Sequence, residues 1–405
     1  MSLEKVKSFF NYASYFIKQN KSEYVAAIID LLIFIVAICN WQKLIEEKYL
    51  VLLLATIFVD YIWQMYNIYL HFREILKNVN YKKAENGIVP SDDLRTMLSD
   101  DMAQQYRPIP NFPQCYMPND SSFLESSEPI SIYLENKNSL EIEDYIHSMW
   151  SILSIFLNEE YHAVENFRNE DKLCMLSEIT GGHDTPLTVR LCKGNYYNSY
   201  LTNTIYNKKL IEKDTGLPLF PPLNSRTYKI PLLENSKLSN HIGVSTLLVT
   251  SDEKTYLLVQ NSKTVQNSDR LVPTGSGSVD FIDTNGLQDL REIVVRAAER
   301  ELKEETTVDA ISLRQKGIKV QTTVIGFYRD LVRGGKPEFC CVTEIDAHST
   351  NPCVDVRPQV KEQYTGKREI IKLCDLFKQK ISSENIPSDT LLINIYFLSQ
   401  YKHRE

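Results

Sequence analysis

Apolar positions in this chain follow two regimes: two long unbroken runs near the start, and short alternating or helix-spaced patches after them. The runs are Tyr24 to Trp41 and Tyr49 to Tyr69. A helix rises about 1.5 Å per residue, so roughly twenty mostly apolar residues cross a hydrocarbon core. Both runs meet that length, the first near its lower limit, and together they predict a two-helix transmembrane hairpin. No small-residue cleavage site follows the first run, which sets it apart from a secretory signal. Lys5, Lys7, Lys18 and Lys21 precede the pair, and Arg73, Lys77, Lys82 and Lys83 follow it. Basic flanks stay inside. The expected placement is therefore a multi-pass membrane protein with both termini cytoplasmic and Gln42 to Lys48 as a short outer turn.

The second run carries a polar stripe. Thr56, Asp60, Gln64, Asn67 and His71 recur at helical spacing and share one face. An ionisable group at membrane depth is costly and normally faces protein or water, which makes Asp60 a candidate pore residue, with Asp30 of the first run beside it. Intramembrane hydrogen bonds that glue two helices together are the plainer alternative. The residues leave both readings open.

Past the hairpin the pattern changes. Leu70 to Glu85 reads as a charged helical extension, and Ser91 with Asp92 and Asp93 signals a helix start running to Tyr106. Prolines at 108, 110, 113 and 118 predict an irregular connection from Arg107 to Asp120. Glu128 to Leu134 reads as a strand and Ser139 to Phe167 as helical. From His241 the pattern sharpens: apolar strands over Gly243 to Thr250, Lys254 to Asn261, Thr323 to Leu331 and Glu338 to Glu344, and helices over Leu290 to Glu305 and Asp389 to Tyr401. That order predicts a small α/β sandwich. The expected organisation is a hairpin unit at 1–85, a mixed α+β extension at 86–240 and a compact α/β domain at 241–405.

Composition narrows the partners. The formal charge of 405 residues is −7, with no basic excess to displace counterions from a phosphate backbone, so nucleic-acid binding is not expected. Eight cysteines without C-x-x-C spacing signal neither a zinc site nor a disulfide framework. Tyr196, Tyr197, Tyr200 and Tyr206 form a cluster able to stack on a nucleobase. Packing is the commoner fate of such rings.

Gly286, Glu292, Arg300, Glu301, Leu302, Glu304, Glu305, Thr307 and Val308 spell G-x5-E-x7-R-E-L-x-E-E-x-T-V. This run resembles the Nudix box, G-x5-E-x7-R-E-U-x-E-E-x-G-U with U aliphatic. Glu301 and Glu305 lie one turn apart on one helix face, with Glu304 beside them, a grouping suited to a hard cation. The resemblance implies an α+β Nudix sandwich in which Glu301, Glu304 and Glu305 ligate Mg2+, Arg300 orients the first of them, and Glu292 supports. For a hydrolase, it casts Glu304 and Arg300 as catalytic. Two departures stand out. Thr307 occupies a family glycine position, and Pro273 to Asp280, with Gly275 and Gly277, also looks like the glycine entrance to the box, so that Gly277 and Gly286 compete as its first glycine. Gly275, Gly277 and Arg300 are the expected nucleotide-binding residues.

Two membrane helices followed by a divergent Nudix domain resemble the transmembrane Nudix effectors of bacterial cyclic-oligonucleotide-based antiphage signalling (CBASS). That resemblance implies an inner-membrane protein whose cytosolic domain binds a cyclic oligonucleotide, forms a homo-oligomer and disrupts the lipid membrane through the hairpin, killing the cell. The competing expectation is a membrane-anchored Mg-dependent Nudix hydrolase of a nucleoside diphosphate derivative. A third is a nucleotide-binding scaffold on a passive anchor.

Overall fold

The computed structural model of the protein describes residues 3–19, 56–63, 66, 81–85, 92–135, 137–164, 167–182, 185–260, 270–354, 356, 364–378, 381 and 386–404. Among them lies a ten-stranded mixed sheet. At its centre Gly243–Thr250 runs parallel to Lys336–Ile345, with Gly243 opposite Glu338 and Thr250 opposite Ile345. Val320–Asp330 pairs antiparallel on the far side of Lys336–Ile345. Lys254–Gln260 and Gly275–Ser278 flank Gly243–Thr250.

The two-residue period of these strands sorts side chains into two layers. Leu247, Val249, Cys340 and Val342 face one core with Leu391, Ile393 and Leu398 of the C-terminal helix Asp389–Lys402. Val244, Phe339 and Cys341 face the other with Ile293, Val294, Ala297 and Ala298 of the helix Leu290–Glu305. The sheet is thus covered by a helix on each face, the mixed α/β sandwich the sequence predicts. Gly326, beside a register shift in its strand, has the Phe397 ring against it, so close that a Cβ there would stand 2.3 Å from the ring.

The region before residue 240 shares this core. A four-stranded sheet of Ser131–Glu135, Thr185–Asn195, Asp171–Met175 and Thr180–Gly182 contributes Ile132, Leu173, Met175, Val189 and Leu191 to the same apolar cluster as the helix Leu290–Glu305. Backbone bonds tie the two: Leu173 N donates to Val279 O at 3.0 Å and Ile242 N to Leu173 O at 2.9 Å. A helical layer, Leu3–Gln19, Lys137–Ser148 and Trp150–Ala163, closes over Tyr197 and Tyr200, both fully buried. Tyr197, Tyr200 and Tyr206 are core residues, and Tyr196 packs half-buried against the first two.

Several expectations are corrected. Among the described residues no helix is long and apolar enough to cross a membrane, which overturns the transmembrane hairpin in the expected fold class and the multi-pass inner-membrane placement built on it. The span 24–41 and most of 49–69, with Asp30, Gln64 and Asn67, fall outside the described residues. Thr56 and Asp60 sit, exposed, on a helical stretch at 56–63. The helix Leu3–Gln19 buries Tyr15 and Phe16 against Trp150. Within the expected helical extension, Tyr81–Glu85 is a strand paired with Lys208–Glu212.

The proline-rich segment also proves regular. Tyr106–Ile109 and Phe112–Pro118 form a hairpin turning through Asn111 at φ 68°. Tyr106–Ile109 is the outermost strand of the sheet, where a proline deprives no inner neighbour of a ladder hydrogen bond.

His241, at the seam between the two sheets, gives a pH-dependent prediction. It is buried, hydrogen-bonded through Nδ1 to the Ser199 hydroxyl, and lies beside the Tyr196 ring. Burial first, then the charges of Lys336, Lys172 and Arg333, holds its pKa well below the ordinary 6.5. The unfolded chain therefore takes up a proton that the folded chain refuses, and stability falls as pH drops below about 6.5. Denaturant midpoints measured from pH 7 downward should fall, and His241→Gln should flatten the fall; an equally steep variant contradicts the assignment.

Candidate functional site

The box helix Leu290–Glu305 begins at Asp289, whose carboxylate accepts from Arg291 N and Ile130 N. It buries Leu290, Ile293, Val294, Ala297, Ala298, Glu301, Leu302 and Glu305, one continuous stripe at three- and four-residue steps. Two of the acids thus lie on the apolar face. They are satisfied by the strand Gly275–Ser278: Ser276 N donates to Glu305 Oε2 at 2.7 Å, and Ser278 N to Glu301 Oε1 at 3.2 Å. Two carboxylates cap two strand amides.

The glycines of that strand make the approach feasible. A Cβ on Gly275 would stand 2.9 Å from the Leu302 backbone, and one on Gly277 2.3 Å from the Glu301 carboxylate. Gly286 is different: nothing lies within 4 Å of its Cβ position, and it serves a turn at φ 74°. Of the two competing glycines, Gly277 is the one in contact with the box acids. At the other end, Thr306 caps the helix in an extended conformation, φ −130° and ψ −171°. Its hydroxyl accepts from Val308 N at 3.0 Å. The chain leaves the helix without the left-handed residue a glycine would serve, so Thr307 is accommodated.

Arg300 is the hub. Its guanidinium donates from Nε and Nη2 to the two oxygens of Asp283 at 3.1 and 3.0 Å. Nη2 also reaches Ser278 O at 2.7 Å, and Nη1 reaches Glu301 Oε1 at 2.9 Å and Glu304 Oε2 at 3.3 Å. Asp280 lies 3.5 Å from Nη1 and also holds Lys172 Nζ at 2.6 Å. Arg300 is held firmly protonated: burial works against its charge, but the Asp283 hydrogen bonds and the charges of Glu301, Asp280 and Asp283 outweigh it. Glu301 is pushed up to about 7, with burial the largest cause and Arg300 opposing it.

Asp280, Asp283 and Lys172 are the site residues that sequence reasoning passed over. The D-x-x-D spacing of Asp280 and Asp283 was a readable signal, since the pair forms a capping box in which Asp280 N donates to Asp283 Oδ2 at 2.9 Å. Nothing local marks Lys172, which arrives from another sheet. Glu292, expected as a supporting carboxylate, is exposed on the first turn of the helix, and Asp283 fills the bidentate role opposite Arg300.

The expected Mg2+ site can be tested on this geometry. The donors are hard oxygens of the right class. Yet the described residues hold no group of three or more His, Cys, Asp or Glu side chains placed to hold a metal ion. Glu301 and Glu305 are committed to strand amides, and Arg300 stands between Glu301 and Glu304. In this arrangement the set does not fit a divalent ion.

No family model and no curated protein matches the chain. Solved structures similar to it include a protein of Deinococcus radiodurans, at 16% identity over 40% of this chain and 82% of that one, with a TM-score of 0.27. The MutT protein of Methanosarcina mazei Go1 is similar at 15% identity over 40% of this chain and 93% of that one, TM-score 0.27. The Nudix hydrolase RenU of M. smegmatis is similar at 13% identity over 40% and 84%, TM-score 0.27. What ties the chain to the Nudix pattern residue by residue is its box.

Proposed function

We propose that the α/β part of this chain is a Nudix-like nucleotide receptor in which the box acts as a structural brace. The supporting observation is Arg300, whose guanidinium occupies Asp283, Glu301, Glu304 and the Ser278 carbonyl together. A guanidinium so committed keeps the acids from converging on a cation, the Lewis acid that the diphosphate chemistry of the box calls for. The ligand we propose is a cyclic oligonucleotide, with binding that promotes homo-oligomer assembly, the sensing half of a CBASS-type effector. Membrane disruption forms no part of this reading.

One observation favours the rival hydrolase. Glu301 stands near 7, where a carboxyl serves well as a general base. The full chain incubated with MgCl2 and ADP-ribose separates the two. The receptor reading expects phosphate-ester products no faster than with Glu304→Gln, and a rate in the wild type that the variant abolishes would establish the hydrolase instead.

A further inference from the structure

Away from the box, a cleft of about 380 Å³ opens between the strand Lys208–Glu212, the turn after Val320–Asp330 and the start of the helix Asp389–Lys402. None of the box acids lines it. Its size lies in the range of small-ligand sites, and its walls mix cations, carboxylates and the buried Tyr328.

Among the described residues, two of its cations have no close carboxylate partner. Lys208 is buried, and its ion pair among the described residues is a 4.0 Å approach to the exposed Glu85. Burial, with Lys83 nearby, holds its pKa below the ordinary lysine value. Arg270 is exposed at the start of the strand Arg270–Val272 and has no hydrogen-bond or ion-pair partner among the described residues. The third, Arg333, is already paired with Asp330 at 2.6 Å and Glu338 at 2.7 Å. Asp389 also lines the cleft, and among the described residues it takes a hydrogen bond from Gln114 at 3.0 Å on Oδ2. The 14-residue helix that Asp389 begins directs the positive end of its dipole here.

The wall behind Lys208 is unusually constrained. Thr204 ends a five-residue π-helix, Tyr200–Thr204, a form that occurs mostly as single turns and often at functional sites. Within it Asn203 Nδ2 donates to Arg333 O and to Asn240 Oδ1, each at 3.1 Å, and Asn240 itself sits at φ 52°. A left-handed asparagine and a π-turn are local costs that a rigid wall retains. They fix the turn carrying Arg333 against the strand carrying Lys208.

We propose that this cleft, and not the box, is the ligand site: Lys208 and Arg270 take a nucleotide's phosphate, and Asp389 takes an N–H group of its base. A cleft lined by both cations and carboxylates suits a ligand with an anionic end and a hydrogen-bond-donating end, which a nucleotide supplies. The placement rests on the receptor reading above and can fail without it.

The test uses the full chain with fluorescently labelled cyclic di-AMP, cyclic tri-AMP and ADP-ribose as probes, followed by anisotropy. The tightest binder is then titrated into Arg270→Ala, Lys208→Met and Glu304→Gln, each checked for a wild-type melting profile. Arg270 is exposed, so its variant keeps the test valid if Lys208→Met fails to fold. The expected result is a loss of tenfold or more in affinity with Arg270→Ala and a weaker dependence on salt. Loss confined to Glu304→Gln, with the cleft variants at wild-type affinity, overturns the placement and leaves a receptor that binds at its box. Failure of every probe to bind the wild type overturns the placement and the receptor reading together.

Discussion

Glu178→Ala is expected to destabilise the fold by about 3–5 kcal/mol, because it strands a charge in the core. Arg329 is completely buried, and its Nη1 donates to Glu178 Oε1 at 2.6 Å. The same carboxylate accepts from Leu233 N at 3.0 Å and from the Tyr106 hydroxyl, while Arg329 Nε donates to Gly335 O and its guanidinium lies 5.9 Å from the Tyr106 ring centre. Removing the acid leaves the guanidinium desolvated with only carbonyls and a ring face around it. Removing both charges is another matter, since an apolar pair of similar volume is often neutral or better. Denaturant unfolding of Glu178→Ala, Arg329→Met and Glu178→Leu/Arg329→Met measures this, with the double variant expected to recover most of the loss. Additive single costs would show that the pair is not coupled.

Gly275→Ala carries the second large effect, about 1–3 kcal/mol from overpacking. Its new Cβ would meet the Leu302 backbone at 2.9 Å, and a helix backbone cannot swing aside as a side chain can. The helix Leu290–Glu305 has to retreat from the strand, stretching the Ser276–Glu305 and Ser278–Glu301 bonds that now measure 2.7 and 3.2 Å. Gly286→Ala provides the scale: nothing crowds it, and only its φ of 74° opposes a side chain, at about 1–2 kcal/mol. Hydrogen exchange at Ser276 and Ser278 separates them. Exchange should quicken with Gly275→Ala and stay unchanged with Gly286→Ala, and equal protection in both would contradict the close approach.

The parts of this fold that could be read in the chain were those whose cause is local. Helix Leu290–Glu305 lies where its spacing predicts, and the strands Gly243–Thr250 and Lys336–Ile345 lie on the expected apolar runs, with Gly334 and Gly335 at the turn before the second. Turn chemistry was harder. Prolines 108, 110, 113 and 118 argue against a regular element, yet the segment forms a hairpin at the end of the sheet, and nothing in the segment itself says it will lie there. Likewise Tyr81–Glu85 carries helix-compatible residues and becomes a strand because Lys208–Glu212 offers it a partner.

The site divides along the same line. Glu301 and Glu305 could be placed on one face by counting residues, and they are there. Their condition could not: Glu305 and Glu301 accept the amides of Ser276 and Ser278, and Arg300 reaches Asp283, through pairings set by how a glycine strand docks on a helix. Lys172 joins through Asp280 from a strand more than a hundred positions away.

Titration calorimetry of the full chain against cyclic di- and trinucleotides, with magnesium-dependent release of phosphate products followed in the same samples, tests the central claim most directly. A receptor gives saturable heat with at least one cyclic oligonucleotide and no product. Steady product formation from linear diphosphate compounds, with no heat from any cyclic one, would contradict it.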